Sequence, residues 1–285
     1  MNISPTKSFR FTKTGRKLNQ ASKATRKMFN FKGLSCMEIE QKLLKEDKII
    51  ANFKNNQLVA DAVNTTVNIF KKILGGNYLP SEVHFTSFKD THPKHTNALG
   101  IFCPDKKSIG INADFKCFDN FKNLKRAKLG DFNFLLWDNE KSTLHPLHTF
   151  IHEFAHCAHY KNLLKNGNTD CWNWLGEKNT KGLNYTSQSG TYGKYSTSDL
   201  KEYFAEVMTK EILENVPSEY PSKSIDTSRI DLRAIKPEDY IHAGEINTYH
   251  IWTGNKAEIE KNLGEMVELN SQLTDVNRII RSFII

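Results

Sequence analysis

Two histidines and a glutamate stand together in His152-Glu153-Phe154-Ala155-His156. Residues four apart on an α-helix project from the same side, so a helical pentad of this kind lets both imidazoles reach one metal ion. Glu153 is then offset toward the position of a water on that ion. Two imidazoles leave zinc short of a third protein ligand, because tetrahedral catalytic zinc normally takes three and keeps one place open. Glu202 is the candidate. It opens Glu202-Tyr203-Phe204-Ala205-Glu206, where helical spacing sets Glu202 and Glu206 on one face, away from Phe204 and Val207. One of these carboxylates can bind the metal while the other accepts the outer N–H of a ligand histidine.

A different third ligand, a histidine six residues after the pentad preceded by a glycine, is not available. The positions concerned hold His159 and Asn162. His159 is expected to be a partly exposed helix histidine or to line the cleft. The elements that must carry these residues are legible around them. Ser142 and Thr143 are candidate N-caps and Pro146 suits a first helical turn, while Leu147, Phe150, Ile151, Phe154 and Ala158 mark one apolar face. Asp199, three residues before Glu202, reads as a capping signal for a second helix with Phe204, Val207, Met208 and Ile212 toward the core. Upstream, the apolar spacing over 58–74 predicts an amphipathic helix stopped by Gly75-Gly76. Strand-like runs follow at 83–88, 98–102 and 108–112, the last two joined by a turn at Pro104-Asp105. The run 132–137 suits a strand or a buried helical turn, and 165–195 reads as irregular. A final helix over 257–283 carries Ile259, Leu263, Met266, Leu273 and Ile280 near heptad spacing, interrupted by Asn270 and Asn277. It is expected to pack back on its own domain or to serve self-association.

The stretches Phe150-Ile151-His152-Glu153-Phe154-Ala155-His156 and Tyr195-Ser196-Thr197-Ser198-Asp199-Leu200-Lys201-Glu202-Tyr203-Phe204-Ala205-Glu206 resemble the gluzincin zinc metallopeptidases, and more narrowly the catalytic domain of anthrax lethal factor and its relatives. The resemblance covers about residues 58–215. It implies an α+β, zincin-like fold with a small mixed sheet, a metal-binding helix and a glutamate helix. It further implies Zn²⁺ as cofactor, His152, His156 and Glu202 as its ligands, Glu153 as general base and Tyr195 as a donor at the reacting carbonyl, with Tyr192 a nearby rival for that role. Glu206 would stand behind the ligands. The activity implied is endopeptidase hydrolysis of a protein or peptide substrate. The strand 108–112 is a candidate edge for aligning that substrate by β-augmentation, and equally a candidate core strand.

Composition sets the frame. A chain of 285 residues, 38% hydrophobic and 25% charged, is expected to fold as a soluble globular protein. No stretch is apolar enough to span a membrane, and the first 30 residues lack the apolar core of a secretory signal. The net charge of +8 is concentrated: residues 1–32 carry nine basic side chains and no acid, which leaves 31 basic against 32 acidic groups, or −1, for the rest. Three segments are therefore expected: a basic arm at 1–33, a catalytic domain at 34–215 and a mostly helical extension at 216–285. The arm is expected to be a solubilising end or to dock on an anionic partner, nucleic acid or an acidic protein face. A second reading makes the chain a zincin-fold structural or binding protein docked by that arm in a larger assembly such as a virus particle. Zinc-finger spacing and the RNA-recognition aromatic motifs are absent from the sequence. The five cysteines form no C-x-x-C pair and read as reduced thiols, as expected in the cytoplasm, in a virus particle or after delivery into a host cell.

Overall fold

A capping box starts the first helix. In the computed structural model, which describes residues 33–120, 145–178, 194–217, 227–230, 232 and 247–282, the Ser35 hydroxyl accepts from the Glu38 N–H while the Glu38 carboxylate accepts from the Ser35 N–H. Helix α1 (Cys36–Lys42) runs into a π-turn ending at Lys48, and strand β1 (Ile50–Asn52) follows. Asn56 then caps helix α2 (Gln57–Ile73), its side chain accepting from the Val59 N–H at 3.0 Å. Gly75, at φ +85°, turns the chain away afterwards. Strand β2 (Glu82–Thr86) is followed by a single helical turn at Phe88–Thr91, then by β3 (Gly100–Cys103) and β4 (Ser108–Asn112). Helices α3 (His148–Lys165), α4 (Asp170–Glu177), α5 (Leu200–Glu214), α6 (Thr248–Thr253) and α7 (Lys256–Ser282) complete the described chain. The fold is mixed α+β. Residues from Leu34 onward group into one compact unit, Leu34–Ile285.

The four strands form one mixed sheet in the order β1-β2-β4-β3. β1 and β2 are parallel, as are β2 and β4, whereas β3 and β4 pair antiparallel with Gly100 opposite Ile111. The Pro104-Asp105 turn thus closes the hairpin that its sequence suggested. The order decides between the two readings of 108–112: β4 is hydrogen-bonded on both sides and all five of its residues are buried, so it is a core strand and has no free edge to offer a substrate. Among the described residues the outer strand on that side is β3.

Asn112, at the end of β4, fixes what lies next to β3. It is fully buried, its Nδ2 donates to the carbonyls of Thr96 and Ala98 at 3.1 and 2.9 Å, and its Oδ1 accepts from the Asp114 N–H at 3.0 Å. The loop entering β3 is held by that one amide. Helix α3 packs against β3, β4, α2 and α5, and every residue from His148 to His159 is buried. The single apolar face expected for it is therefore incomplete, because its polar face looks onto α5 and α6 rather than onto water. Pro146 lies in the turn before the helix, not in its first turn, and α4 occupies part of the 165–195 stretch expected to be irregular. In α7, Ile259 is fully buried and Met266 is 8% exposed, so its first turns pack back onto the same unit. All five cysteines are free thiols. No helix among the described residues is long and apolar enough to cross a membrane. The candidate caps Ser142 and Thr143, the run 132–137, Tyr192 and the arm at 1–32 lie outside the described residues.

Candidate metal centre

His145 does the work at the start of α3 that an N-cap side chain would do. Its Nδ1 accepts from the Leu147 N–H at 3.0 Å and its carbonyl accepts from the His148 N–H at 2.9 Å, while Nε2 lies 3.1 Å from the Pro217 carbonyl oxygen. Opposite, Asp199 caps α5, its carboxylate accepting from the N–H groups of Lys201 and Glu202 at 2.8 and 3.0 Å. Capping at this point sets the rotation of α5, and so which side chains of its first turns face α3.

They are Glu202 and Glu206. Glu202 Oε2 lies 3.0 Å from His152 Nε2 and 3.2 Å from His156 Nε2, and the two imidazole nitrogens are 3.0 Å apart. The three residues that the sequence nominated as ligands are thus brought to one point from two helices. A tetrahedral zinc shell with bonds of about 2.0–2.1 Å has ligand–ligand edges of about 3.3–3.4 Å. The observed triangle falls short of that by a few tenths of an ångström, and its two imidazoles and one carboxylate are donors that zinc accepts. The group fits the ion. Glu206 stands behind it, with Oε1 3.1 Å from His152 Nδ1 and Oε2 3.0 Å from His148 Nε2.

The electrostatics are those of a tightly coupled cluster. Burial alone would push Glu202 and Glu206 up and His152 down. The pairing outweighs it: His156 and His152 hold the Glu202 carboxyl well below the usual carboxylate range, and His148 and His152 do the same for Glu206. The two carboxylates in turn hold His152 well above the ordinary imidazole value.

Glu153 is buried at the mouth of this cluster, its side chain packed on the backbone of Gly100. A Cβ at that glycine would sit 2.7 Å from Glu153 Cγ and 2.9 Å from its Oε1, so only glycine lets β3 pass so close. A cavity of about 280 Å³ opens here between the β3 entry loop and α3, lined by Leu99, Gly100, Thr149, His152, Glu153 and Tyr195. The Tyr195 ring lies 5.9 Å from that of His152. Desolvation first, and then the carboxylates of Glu202, Glu153, Glu206 and Asp199, raise its phenol pKa and keep the hydroxyl protonated.

His159 corrects its expectation. It is 0% exposed, its Nε2 lies 2.8 Å from the Ile251 carbonyl oxygen, and its ring packs 4.4 Å from that of Phe204. It faces α6 rather than solvent or the cleft, and burial lowers its pKa to about 3. Sequence reasoning missed His148, although its spacing from His152 repeats that of the pentad, and missed Gly100, for which a strand pattern gives no signal. No family model, curated protein or solved structure matches this chain.

Proposed function

We propose that this protein is a zinc-dependent endopeptidase of zincin-like fold, similar in its catalytic parts to the gluzincins. The observation that carries the reading is the convergence of His152, His156 and Glu202 within 3.0–3.2 Å of one another, at the floor of a cleft that also holds a buried glutamate. His152, His156 and Glu202 would hold the ion. Bound there, zinc supplies Lewis-acid polarisation of a scissile carbonyl and lowers the pKa of water toward about 7.

The remaining roles belong to the chain. The Glu153 carboxylate takes the proton of the attacking water and hands it to the leaving amine nitrogen, a general acid–base contribution of about 10²–10⁴-fold. Tyr195, protonated and beside His152, donates its hydroxyl to the carbonyl oxygen as negative charge grows there. The outer strand β3 replaces β4 as the element that aligns the substrate, since it borders the cavity through Gly100 and its outward N–H and C=O groups can pair with an extended peptide. Closeness of Gly100 to Glu153 brings that peptide's backbone to the proton acceptor.

The test compares the wild type with Glu153→Gln for zinc content and for cleavage of a peptide library. The expected result is about one zinc per chain in both proteins and cleavage in the wild type alone. Equal turnover in the two overturns the assignment of Glu153, and a wild type that takes up no zinc overturns the metal centre.

A further inference from the structure

The proposed zinc ligands are one end of a longer pattern. On α3, His148, His152 and His156 recur at four-residue steps, and on α5 Glu202 and Glu206 do the same. The two rows interdigitate, so that imidazole and carboxylate alternate from His148 to Glu206, His152, Glu202 and His156 with successive contacts of 3.0, 3.1, 3.0 and 3.2 Å. His148 is 2% and Glu206 0% exposed, and both border the same cavity as Glu153. The His148 and His152 rings lie nearly parallel, 21° apart with centroids at 5.7 Å.

We propose that His148 is a positioning residue for the metal centre, acting through Glu206 on the ligand His152. The inference rests on the zinc reading of the site. A carboxylate with two oxygens and one short side chain can adopt several rotations; the bond from His148 to Oε2 selects the one that presents Oε1 to His152 Nδ1. With Nδ1 so placed, the His152 ring directs Nε2 at Glu202 and His156. The ring is fixed in angle before any ion arrives, and an ion at Nε2 would leave the remaining ring proton on Nδ1, facing Glu206. A second ion held by His148, His152 and Glu206, which also lie within reach of a common point, would require His152 to give up its last ring proton and bridge two cations. The ladder, whose Glu206–His152 link is an ion-pair contact of 3.1 Å, does not.

Zinc affinity, measured by competition with a chromophoric chelator, and the visible absorption of the cobalt(II)-substituted protein test this directly. His148→Phe keeps a ring but no donor, and is expected to weaken zinc binding about 10–100-fold and to shift the cobalt bands. His148→Gln, whose amide can donate to Glu206 from nearly the same place as Nε2, is expected to restore most of both. In a Glu206→Gln background the same His148→Phe change should have little further effect, because the link it acts through is already cut. Unaltered zinc affinity in His148→Phe overturns the proposal, as do additive losses in the double variant or a second zinc equivalent that disappears with His148. A wild type that binds no zinc defeats the underlying metal reading instead. If His148→Phe does not fold, the Gln variant decides alone: loss of affinity equal to that of Glu206→Gln then overturns the proposal.

Discussion

Burial of ionisable groups decides what single side chains do here, and His159 is the clearest case outside the histidine–glutamate cluster. Its folded pKa of about 3 lies below the ordinary 6.5, so in acid the unfolded chain takes up a proton that the folded chain refuses. The stability this group contributes is complete above pH 6.5 and is lost as the pH falls toward 3, by an amount on the order of 5 kcal/mol. Replacing it with Phe removes one donor from the Ile251 carbonyl, which keeps the Gly254 N–H at 3.1 Å, and costs about 0.5–1.5 kcal/mol at neutral pH, but removes the titration. Urea unfolding of both proteins in chelator, followed from pH 7 to pH 4, should show the wild type losing stability faster than His159→Phe; parallel curves would assign the acid sensitivity elsewhere. Gly100 gives a second test at this scale. An alanine Cβ would lie 2.7 Å from Glu153 Cγ, so either β3 or the Glu153 side chain must shift. With His152, His156 and Glu202 untouched, zinc uptake should persist while kcat falls by about 10²-fold, the usual cost of displacing a reacting group by about 1 Å.

Elements were readable to the extent that their cause was local. α2, α5 and the β3–β4 hairpin follow from periodicity and turn residues lying within the segments themselves. α1, β1, α4 and α6 went unread for different reasons: β1 is only three residues long, and α6 is defined by what it covers. The carbonyls of Ile251 and Trp252 receive His159 and Asn162 from α3, some 90 residues earlier, a relation no window on the sequence contains. The candidate site was legible in its ligands because helical i,i+4 spacing is local; the choice of β3 over β4 was not, because strand order is a property of the assembled sheet. Asn112 shows how far one residue can act across elements. Its replacement by alanine removes two donors and an acceptor from a fully buried site and should cost about 2–4 kcal/mol in urea unfolding. Freed from it, the 96–98 loop at the rim of the cleft should loosen, raising KM for peptides more than it lowers kcat.

At the scale of the whole chain, charge and chemistry are partitioned along the sequence. Nine basic residues fall within 1–32, and the remaining 253 positions sum to −1. Every proposed ligand and catalytic residue, from His152 to Glu202, lies in the near-neutral part. If the arm serves to address the protein to an anionic partner, the two functions separate cleanly on truncation. Removal of 1–32 should leave zinc stoichiometry, the urea midpoint and kcat/KM for a short neutral peptide unchanged, and should abolish retention on duplex DNA. For the full chain, the slope of log affinity against log salt should be negative and no steeper than about −8, the value for nine phosphates neutralised at about 0.9 counterion each. A slope near zero would show that the arm's charges do not carry the binding. Loss of zinc or of peptidase turnover on truncation would show that the arm belongs to the architecture of the proposed site, and the partition of charge would then have to be explained by that site rather than by a partner.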